Sequence, residues 1–407
     1  MKILFLTDNF YPERNAPAKR TFEHCKYWAR KNNSVTVITG APNFPYGKVF
    51  NGYKNKIYQS ETIDNIIIKR VWTYMYPNKG FLLRIVDYLS FMFSSFFCGL
   101  FTKKHDILIA TSPQFFTLIS GYLISIFKRT PLAIEIRDLW PESIVTVGAM
   151  KNSNIFIKIL NKIAIFIYKK SKIIICVTES FKKDLINKGI DKEKIFIIKN
   201  GFDLEKNIIP DKTIKEVENK YQLDQKDFIV AFIGTIGMAH GLEIILKSAK
   251  KINHQSIKFL IIGDGAKKNY LIQKSKEHNL KNVIFISNLS WQEIVNINQI
   301  IDIHLIHLIN SSDFRKVIPS KIFESMALKK PIIMGVDGES RKITNNANCA
   351  LNIDPENHIE LINLIDYYRH QNEYLKNLGL NGNKFLQKNY SRKILANKMI
   401  EFIKDNI

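Results

Sequence analysis

The chain has 407 residues, of which 46% are hydrophobic, so it is expected to form two domains with cores of their own rather than a small scaffold held by disulfides or metals. Its 60 lysines and arginines exceed its 37 acidic residues, and the net charge of +23 favours anionic partners: nucleic acid, an anionic membrane or a diphosphate. The four cysteines lie far apart without a CxxC pair, which argues against a zinc site and agrees with a reducing cytoplasm, and the N-terminus predicts a first strand rather than a signal peptide.

Apolar runs alternate with helical patterns over the first 200 residues. Several of the runs lack polar alternation, which is typical of parallel strands covered on both faces. Strands are predicted at Ile3–Leu6, Val35–Thr39, Ile66–Val71, Ile107–Ala110, Leu132–Ile136, Ile173–Val177 and Ile195–Lys199. Helices are predicted at Thr21–Arg30, Phe81–Phe101, Phe115–Phe127, Ile155–Lys169 and Phe181–Lys188.

The segment Phe81–Phe101 is long and aromatic. It contains Arg84 and Asp87, and its uncharged part is about 15 residues long, short of the roughly 20 that a transmembrane helix needs. The pattern predicts one amphipathic helix, with three alternatives: burial in the core, partial docking on a bilayer surface, or a membrane span.

A second series begins after a linker at Pro210-Asp211-Lys212. Its strands are predicted at Phe228–Ile233, Phe259–Ile262, Val283–Ile286, Ile303–Leu308, Ile332–Met334 and Leu351–Ile353. Its helices are predicted at Leu242–Ile252, Lys268–Glu277, Trp291–Ile297, Ser320–Leu328 and Ile359–Leu375.

This alternation predicts the α/β class, with two Rossmann-like, doubly wound parallel-sheet domains at residues 1–205 and 206–389. A last helical pattern at Arg392–Lys404 hints that residues 390–407 return to the first domain. Ligands of such domains bind at the carboxyl ends of the strands, so a site in a cleft between two facing domains is expected.

Two loops of the first domain carry candidate functional residues. The loop YPERNAPAKR after the first strand has small residues such as Ala16 for close backbone approach, and Arg14 and Arg20 supply charge. The segment IRDLWPES ends another strand in Arg137 and Asp138, and the Asp138 carboxylate could orient or deprotonate an acceptor hydroxyl. The alternatives are an ordinary polar loop and an Arg137–Asp138 surface pair.

The second domain opens with a glycine-rich turn, GTIGMAHG, between a strand and a helix. Gly234 and Gly237 would let backbone N–H groups approach a phosphate, and His240 could hydrogen-bond it. Gly263, in the GDG turn after the next strand, marks another turn at the same edge of the sheet. The Gly263 turn could also be a plain strand–helix connection, and the glycine-rich turn matches neither a Walker A loop nor a GxGxxG motif.

The segment Pro319–Glu324 is the most informative part of the chain. Pro319 suits the entry to a helix, and Ser320 suits a cap or a phosphate ligand. The free N–H groups of Ser320, Lys321 and Ile322 would form an anion site at the positive end of the helix dipole, where Lys321 adds a full charge. Glu324 could accept hydrogen bonds from a diol such as ribose. Alternatively, Glu324 only neutralises the dipole and Lys321 is solvated.

Metal chemistry finds no support in the sequence. His304 and His307 are three apart on a predicted strand and therefore face opposite sides. No DxD pair or HExxH motif occurs, so no metal is expected. The GxSxG motif of serine hydrolases is also absent from the sequence.

Together these motifs resemble the family 4 retaining glycosyltransferases of the GT-B fold, in particular the O-antigen and capsule branch that includes fucosamine-type amino-sugar transferases. The resemblance covers nearly the whole chain. It rests on YPERNAPAKR, APNFPYGKVFNGY, IRDLWPES, VTESFKKDL, KNGFD, GTIGMAHG, GDG and PSKIFESMALKKP.

The resemblance assigns the family's residues unevenly. Glu324 matches the second of two glutamates, which binds the nucleotide ribose, whereas the first falls on Lys316, so Arg315 or Lys316 is expected to hold the donor sugar. The family's phosphate-binding arginine and lysine fall on Thr235 and His240.

The positive charge that balances the diphosphate is therefore expected to come from Lys321. Lys321 and Asp138 are the predicted catalytic residues. Asp138 lies at or beside the position of the family's acceptor-side histidine. The predicted acceptor-binding residues are Glu13, Arg14, Ala16, Arg137 and Asp138.

The resemblance implies transfer of an N-acetylated amino or deoxy sugar from a UDP-sugar to a polyprenyl-diphosphate-linked saccharide, without a cofactor or metal. The basic charge and the aromatic helix add the expectation of a peripheral protein on the inner face of the cytoplasmic membrane. Two alternatives remain: a nucleotide-sugar 2-epimerase of the same fold, and, on charge alone, a nucleic-acid-binding protein.

Overall fold

The computed structural model describes residues 1–13, 15–76, 82–141, 154–203, 209–252, 254 and 256–407. Arg14, one of the predicted acceptor-binding residues, lies outside them. The chain forms two compact units, one made of Met1–Asn200 with Arg392–Ile407 and the other of Gly201–Ser391. Each unit is an α/β layer structure built around one sheet.

The first unit contains an eight-stranded sheet in the order β3-β4-β2-β1-β5-β6-β7-β8. The strands are β1 (Lys2–Leu6), β2 (Ser34–Gly40), β3 (Tyr58–Ile63), β4 (Ile66–Val71), β5 (Ile107–Thr111), β6 (Leu132–Ile136), β7 (Ile173–Cys176) and β8 (Ile195–Ile197). All neighbours pair in parallel except β3 and β4, which form an antiparallel pair. Strand β3 was not predicted, because this edge strand has no buried residue and no apolar run.

In the described part of the first unit, α-helices fill connections between the strands. They are α1 (Ala16–Arg30), α2 (Leu82–Leu100), α3 (Phe116–Lys128), α4 (Ile155–Lys170) and α5 (Glu179–Asn187). Helix α1 begins five residues earlier than predicted, because the Asn15 side chain accepts a hydrogen bond from the Ala18 N–H and Pro17 lies in the first turn.

The second unit contains a six-stranded sheet in which every pair is parallel, in the order β11-β10-β9-β12-β13-β14. The strands are β9 (Phe228–Ile233), β10 (Ile257–Ile262), β11 (Val283–Ile286), β12 (Ile303–His307), β13 (Ile332–Gly335) and β14 (Ala350–Asn352). The helices are α6 (Ile214–Tyr221), α7 (Glu243–Lys251), α8 (Lys268–Glu277), α9 (Trp291–Ile297), α10 (Lys321–Ala327), α11 (Glu339–Asn346), α12 (His358–Tyr368) and α13 (Asn372–Asn389). Helices α6 and α11 were not predicted.

The prediction of one helix over Ile359–Leu375 is wrong, since the chain breaks between α12 and α13 and α13 continues to Asn389. Gly379 and Gly382 hide α13 in the sequence, because glycine is a poor helix former. Both glycines lie where α13 packs closely against other segments of the same unit. A Cβ at Gly379 would clash with the Lys329 carbonyl oxygen. The close approach, rather than helix propensity, explains the glycines.

The last helix, α14 (Arg392–Asp405), belongs to the first unit and packs on α1. The fully buried indole of Trp28 donates a hydrogen bond to the Ala396 carbonyl oxygen at 2.8 Å. Arg392 forms an ion pair with Glu23 at 2.8 Å. Helix α14 thereby completes the core that contains Ile3 and Phe5 of β1.

Candidate functional site

The glycine-rich turn after β9 is tied down at alternate residues. The Gly234 N–H donates to the Ile262 carbonyl, and the Ile236 N–H donates to the Asp264 carbonyl, both at 2.8 Å. The Gly234 N–H is therefore not available for a phosphate. Within the part of the chain that the structure describes, the N–H groups of Thr235 and Gly237 have no acceptor, and Thr235 is exposed. These two amides can bind an anion.

Gly234 and Gly263 are required by contacts within the protein. Gly263 has a φ of +143°, and a Cβ there would clash with the Gly234 carbonyl oxygen. A Cβ on Gly234 would lie 2.5 Å from Cε of Lys321. The two glycines thus let the turns after β9 and β10 pack together and let Lys321 lie against the first of them.

Lys321, the first residue of α10, holds a positive charge beside the glycine-rich turn. Its Nζ lies 5.1 Å from the centroid of the Phe232 ring, a cation–π distance. Burial lowers the pKa of Lys321, and the Glu324 carboxylate partly opposes this shift. Among the described residues no carboxylate oxygen lies within 4 Å of Nζ. An anionic ligand at the turn would supply a direct counter-charge to this ammonium.

The start of α10 differs in detail from the prediction. The Ile322 N–H donates to the Pro319 carbonyl at 3.2 Å, so it is not free, whereas the N–H groups of Ser320 and Lys321 have no acceptor in the described ranges. Ser320 does not cap the helix with its side chain; its hydroxyl donates to Oε1 of Glu324 at 3.2 Å. Ser320 therefore orients the carboxylate that was expected to bind a diol.

The other end of α10 is fixed by α13. The buried side-chain amide of Asn383 donates to the carbonyl oxygens of Met326 and Ala327 at 3.1 and 3.2 Å. These bonds satisfy carbonyl groups in the last turn of α10. They hold the short helix that carries Lys321 and Glu324.

A hollow beside Lys321 and Glu324 is lined by Trp291, His304 and Ser325, among others. His304 Nδ1 lies 2.8 Å from the Ser325 hydroxyl, and the buried Nε2 has no partner among the described residues. Burial, followed by the charge of Lys330, lowers the pKa of His304 to about 3, so the ring is neutral. His304 lines the same hollow as Glu324, a position that was not predicted from the sequence.

His240 and His307 form a reciprocal pair. His307 Nδ1 lies 2.7 Å from the His240 carbonyl oxygen, and His240 Nδ1 lies 3.3 Å from that of His307. Burial and then the charge of Lys321 lower the pKa of His240 to about 4. His240 is therefore neutral near pH 7 and does not replace the family's cationic residue, whereas the Lys321 side chain lies against Gly234 of the turn.

Arg315 and Lys316 lie in a 3-10 turn, Phe314–Lys316. The exposed Arg315 guanidinium donates to the Asn310 side chain at 3.1 Å, and its backbone carbonyl contacts Gly338, whose φ is +79°. Lys316 is partly buried.

In the first unit, the Ser112 hydroxyl fixes the backbone of two predicted site residues. It accepts hydrogen bonds from the N–H groups of Arg137 and Asp138 at 2.7 and 3.2 Å. The Arg137 guanidinium donates to the Pro17 carbonyl at 3.4 Å, and its buried Nε has no partner in the described part of the chain. Burial and the positive charges of two other arginines lower the pKa of Arg137 to about 9, against the attraction of Glu135.

The structure gives the predicted loop residues local roles. Oε1 of Glu13 accepts hydrogen bonds from the N–H groups of Asn43 and Phe44, and burial raises the pKa of Glu13. Ala16 is exposed at the start of α1.

The expectation that Arg20 supplies charge to this loop is wrong. Its side chain is 1% exposed and forms an ion pair with the equally buried Glu135 at 2.9 Å. The carbonyl oxygens of Ile198 and Lys199 and the Asn200 side-chain oxygen accept its other hydrogen bonds. The burial of both partners indicates a structural role.

Family models match almost the whole chain. The model described as "Glycosyltransferase Family 4" matches residues 18–206, and the one described as "Glycosyl transferases group 1" matches residues 213–385. The chain belongs to the family 4 glycosyltransferases. The two matches fall on the two units of this glycosyltransferase in turn.

Individual relatives agree with this assignment. The chain is 24% identical over 339 residues to WcaI of Escherichia coli, which is named as a colanic acid biosynthesis glycosyl transferase, and the match covers 81% of each protein. It is 24% identical over 308 residues to the glycosyltransferase WbjE of Pseudomonas aeruginosa, with 73% of this chain and 74% of WbjE covered.

The solved structure of Anabaena HepE in complex with UDP-glucose covers 100% of each chain at 15% identity, with a TM-score of 0.70. The two parallel-sheet units of this glycosyltransferase are therefore those of the GT-B fold.

Proposed function

We propose that this glycosyltransferase moves a sugar from UDP to a polyprenyl-diphosphate-linked saccharide during the assembly of a bacterial surface polysaccharide. The donor proposal is supported by HepE, which was solved with UDP-glucose. The pathway proposal is supported by the name of WcaI, a colanic acid biosynthesis glycosyl transferase, and by the motifs that resemble the O-antigen and capsule branch. We propose an N-acetylated amino or deoxy sugar as the group transferred.

The observation that carries the donor site is the position of Lys321. Its ammonium lies beside the turn whose Thr235 and Gly237 amides have no acceptor in the described part of the chain. A diphosphate at this turn would receive hydrogen bonds from the amides and a charge-assisted bond from Lys321. Glu324, three residues further along α10, would accept from the ribose hydroxyls.

The reaction proposed is a displacement at the anomeric carbon with retention. The bond from the anomeric carbon to the diphosphate oxygen breaks, and a new bond forms to the acceptor hydroxyl oxygen. The hydroxyl proton passes to the departing diphosphate, whose charge Lys321 and the amides stabilise. We propose that Asp138 orients the acceptor hydroxyl. We also propose that no divalent metal is needed, because Lys321 and the amide N–H groups stabilise the negative charge of the diphosphate.

The decisive assay incubates labelled UDP-sugars with and without a polyprenyl-diphosphate-linked acceptor. A transferase labels the acceptor and gives a product of unchanged anomeric configuration by NMR. Conversion of the UDP-sugar to an isomer without acceptor would instead identify an epimerase.

The Glu324 role has its own binding test. Glu324→Gln should weaken UDP binding about tenfold in calorimetry, because the ribose hydroxyls would then donate to a neutral amide oxygen rather than to a charged carboxylate. The control Glu277→Gln, on the exposed surface of α8, should bind like the wild type. Equal UDP affinity in both variants would remove Glu324 from the ribose site.

A further inference from the structure

Helix α2 leaves one of its faces uncovered. Phe91, Ser95 and Gly99 recur every four residues and are buried against the rest of the unit. On the other side, Phe93 and Phe97 are each 57% exposed, and Phe101, just beyond the helix, is 85% exposed. Large aromatic side chains rarely face water in such a row.

Helices α3 and α4 extend this surface. Phe96 contacts the ring of Phe127 on α3, with centroids 5.8 Å apart, and Tyr122 on α3 contacts the ring of Phe166 on α4 at 5.4 Å. We call the exposed side chains of these three helices the aromatic face: Phe93, Phe97, Phe101, Ile126, Phe127 and Phe166.

Helix α2 is more apolar than its exposure to water would lead us to expect. By length and composition, its window Leu83–Leu100 is apolar enough to cross a membrane, with a mean hydropathy of 1.3, yet only 17% of the window is buried. Leaving the unit to span a bilayer would break its packing. Gly99 lies against Ile124, the Ser95 and Ser120 hydroxyls are 2.8 Å apart, and Lys128 donates to the Leu100 carbonyl at 3.1 Å. The helix therefore stays along the surface of the unit, where about 28 Å of its length can meet a partner.

Exposed basic residues border the aromatic face. Lys103, Lys104 and Arg129 follow the C-terminal ends of α2 and α3, and Lys158 and Lys162 lie on α4. None of the five has a carboxylate within 4 Å in the described part of the chain. A surface of aromatic side chains with a cationic border matches the interface of an anionic bilayer.

We propose that the aromatic face docks in the plane of an anionic phospholipid bilayer. The phenylalanines enter the boundary between headgroups and acyl chains, and the bordering lysines and arginine contact the phosphates. A second copy of this chain fits less well, because a two-fold contact through the same face would oppose the cationic border to itself. The proposal deepens the proposed function, on which it rests for a membrane-bound acceptor, and it names the surface that meets the lipid.

The test is flotation of the full chain with vesicles of equal parts phosphatidylcholine and phosphatidylglycerol. The wild type should float with these vesicles, and the binding should weaken as salt rises. The variant Phe93→Ser/Phe97→Ser/Phe101→Ser should partition at least about tenfold less, and Lys103→Gln/Lys104→Gln/Arg129→Gln should also bind less. The matched control Ile214→Ser/Ile359→Ser/Tyr367→Ser removes three exposed apolar side chains from the second unit and should float like the wild type.

Two outcomes would overturn the proposal: unchanged vesicle binding in the phenylalanine variant, or sedimentation showing that this variant only converts a dimer to a monomer. Calorimetry with UDP and transfer to a short-chain, water-soluble acceptor are measured on the same variants and should not change. If vesicle binding follows the variants but no sugar is ever transferred, the proposed function fails and the docking surface stands. If the sugar is transferred but the wild type does not float with the vesicles, only the proposal about the docking surface fails.

Discussion

At the scale of single residues, Lys321 and Glu324 derive their positions from contacts that have nothing to do with a ligand. The Lys321 stem packs against Gly234 and under the Phe232 ring, and the Ser320 hydroxyl holds the Glu324 carboxylate. Such contacts fix the side chains before a substrate arrives, which is what preorganised electrostatic stabilisation requires.

Removing the charge of Lys321 without removing its stem isolates the electrostatic contribution. Lys321→Met should lower kcat about 10²-fold or more, because the departing diphosphate loses its nearest cation. Steady-state transfer kinetics measure this. Lys276→Met, an exposed position on α8, serves as the control and should be unchanged. A kcat near that of the wild type in Lys321→Met would exclude Lys321 from catalysis.

At the scale of elements, two adjoining strand–helix turns form the candidate donor site. The turn after β10 supports the turn after β9 through Gly263 and through the hydrogen bond from Ile236 to the Asp264 carbonyl. Helix α13 supports α10 from the other end through Asn383. The N–H groups of Gly234 and Ile236 donate to carbonyl groups at the end of β10 and in the turn after it, whereas the intervening Thr235 amide and the next amide, of Gly237, have no acceptor in the described residues.

Gly263→Ala tests this support. The added Cβ would meet the Gly234 carbonyl oxygen at a φ of +143°, so the free energy of unfolding should fall by about 3 kcal/mol or more, and UDP affinity should fall with it. Gly52→Ala is the matched control, because Gly52 also has a positive φ, +85°, but nothing within 4 Å of its Cβ position. It should cost only about 1 kcal/mol. Urea denaturation measures both, and similar losses in the two variants would contradict the argument.

Strand β3 and helix α13 escaped prediction for a common reason. The apolar runs of β9, β10, β12 and β13 announce buried parallel strands, and these were predicted within a residue or two. Strand β3 and helix α13 carry no such signal, since one is an exposed edge and the other contains two glycines. Both are stabilised by their neighbours rather than by their own pattern of residues.

At the scale of the whole molecule, buried neutral histidines connect stability to pH. Burial lowers the pKa of His304 to about 3 and of His240 to about 4, below the ordinary value of 6.5. In the unfolded chain these rings bind a proton near pH 6.5, whereas in the folded protein they do not until pH 4 or lower. Between those values the unfolded state binds more protons, so stability falls as the pH falls.

His304→Asn removes one of these groups. The difference in unfolding free energy between the wild type and this variant should shrink by about 2 kcal/mol from pH 7 to pH 5, since only the wild type loses stability through position 304. Urea denaturation at the two pH values, followed by circular dichroism, gives the difference. A difference that is the same at both would show that His304 titrates normally.

The sequence by itself determined the α/β class, the two-part organisation and the family, because strand and helix periodicities and short motifs are local properties of the chain. Only the tertiary structure decided what the motif residues do. Arg20 is buried against Glu135, and the Lys321 side chain packs against Gly234. The Gly234 and Ile322 amides donate to carbonyl groups, and the side chains of the aromatic face remain exposed. These outcomes depend on which distant segments come together, and the periodicity of a single segment contains no information about its partners.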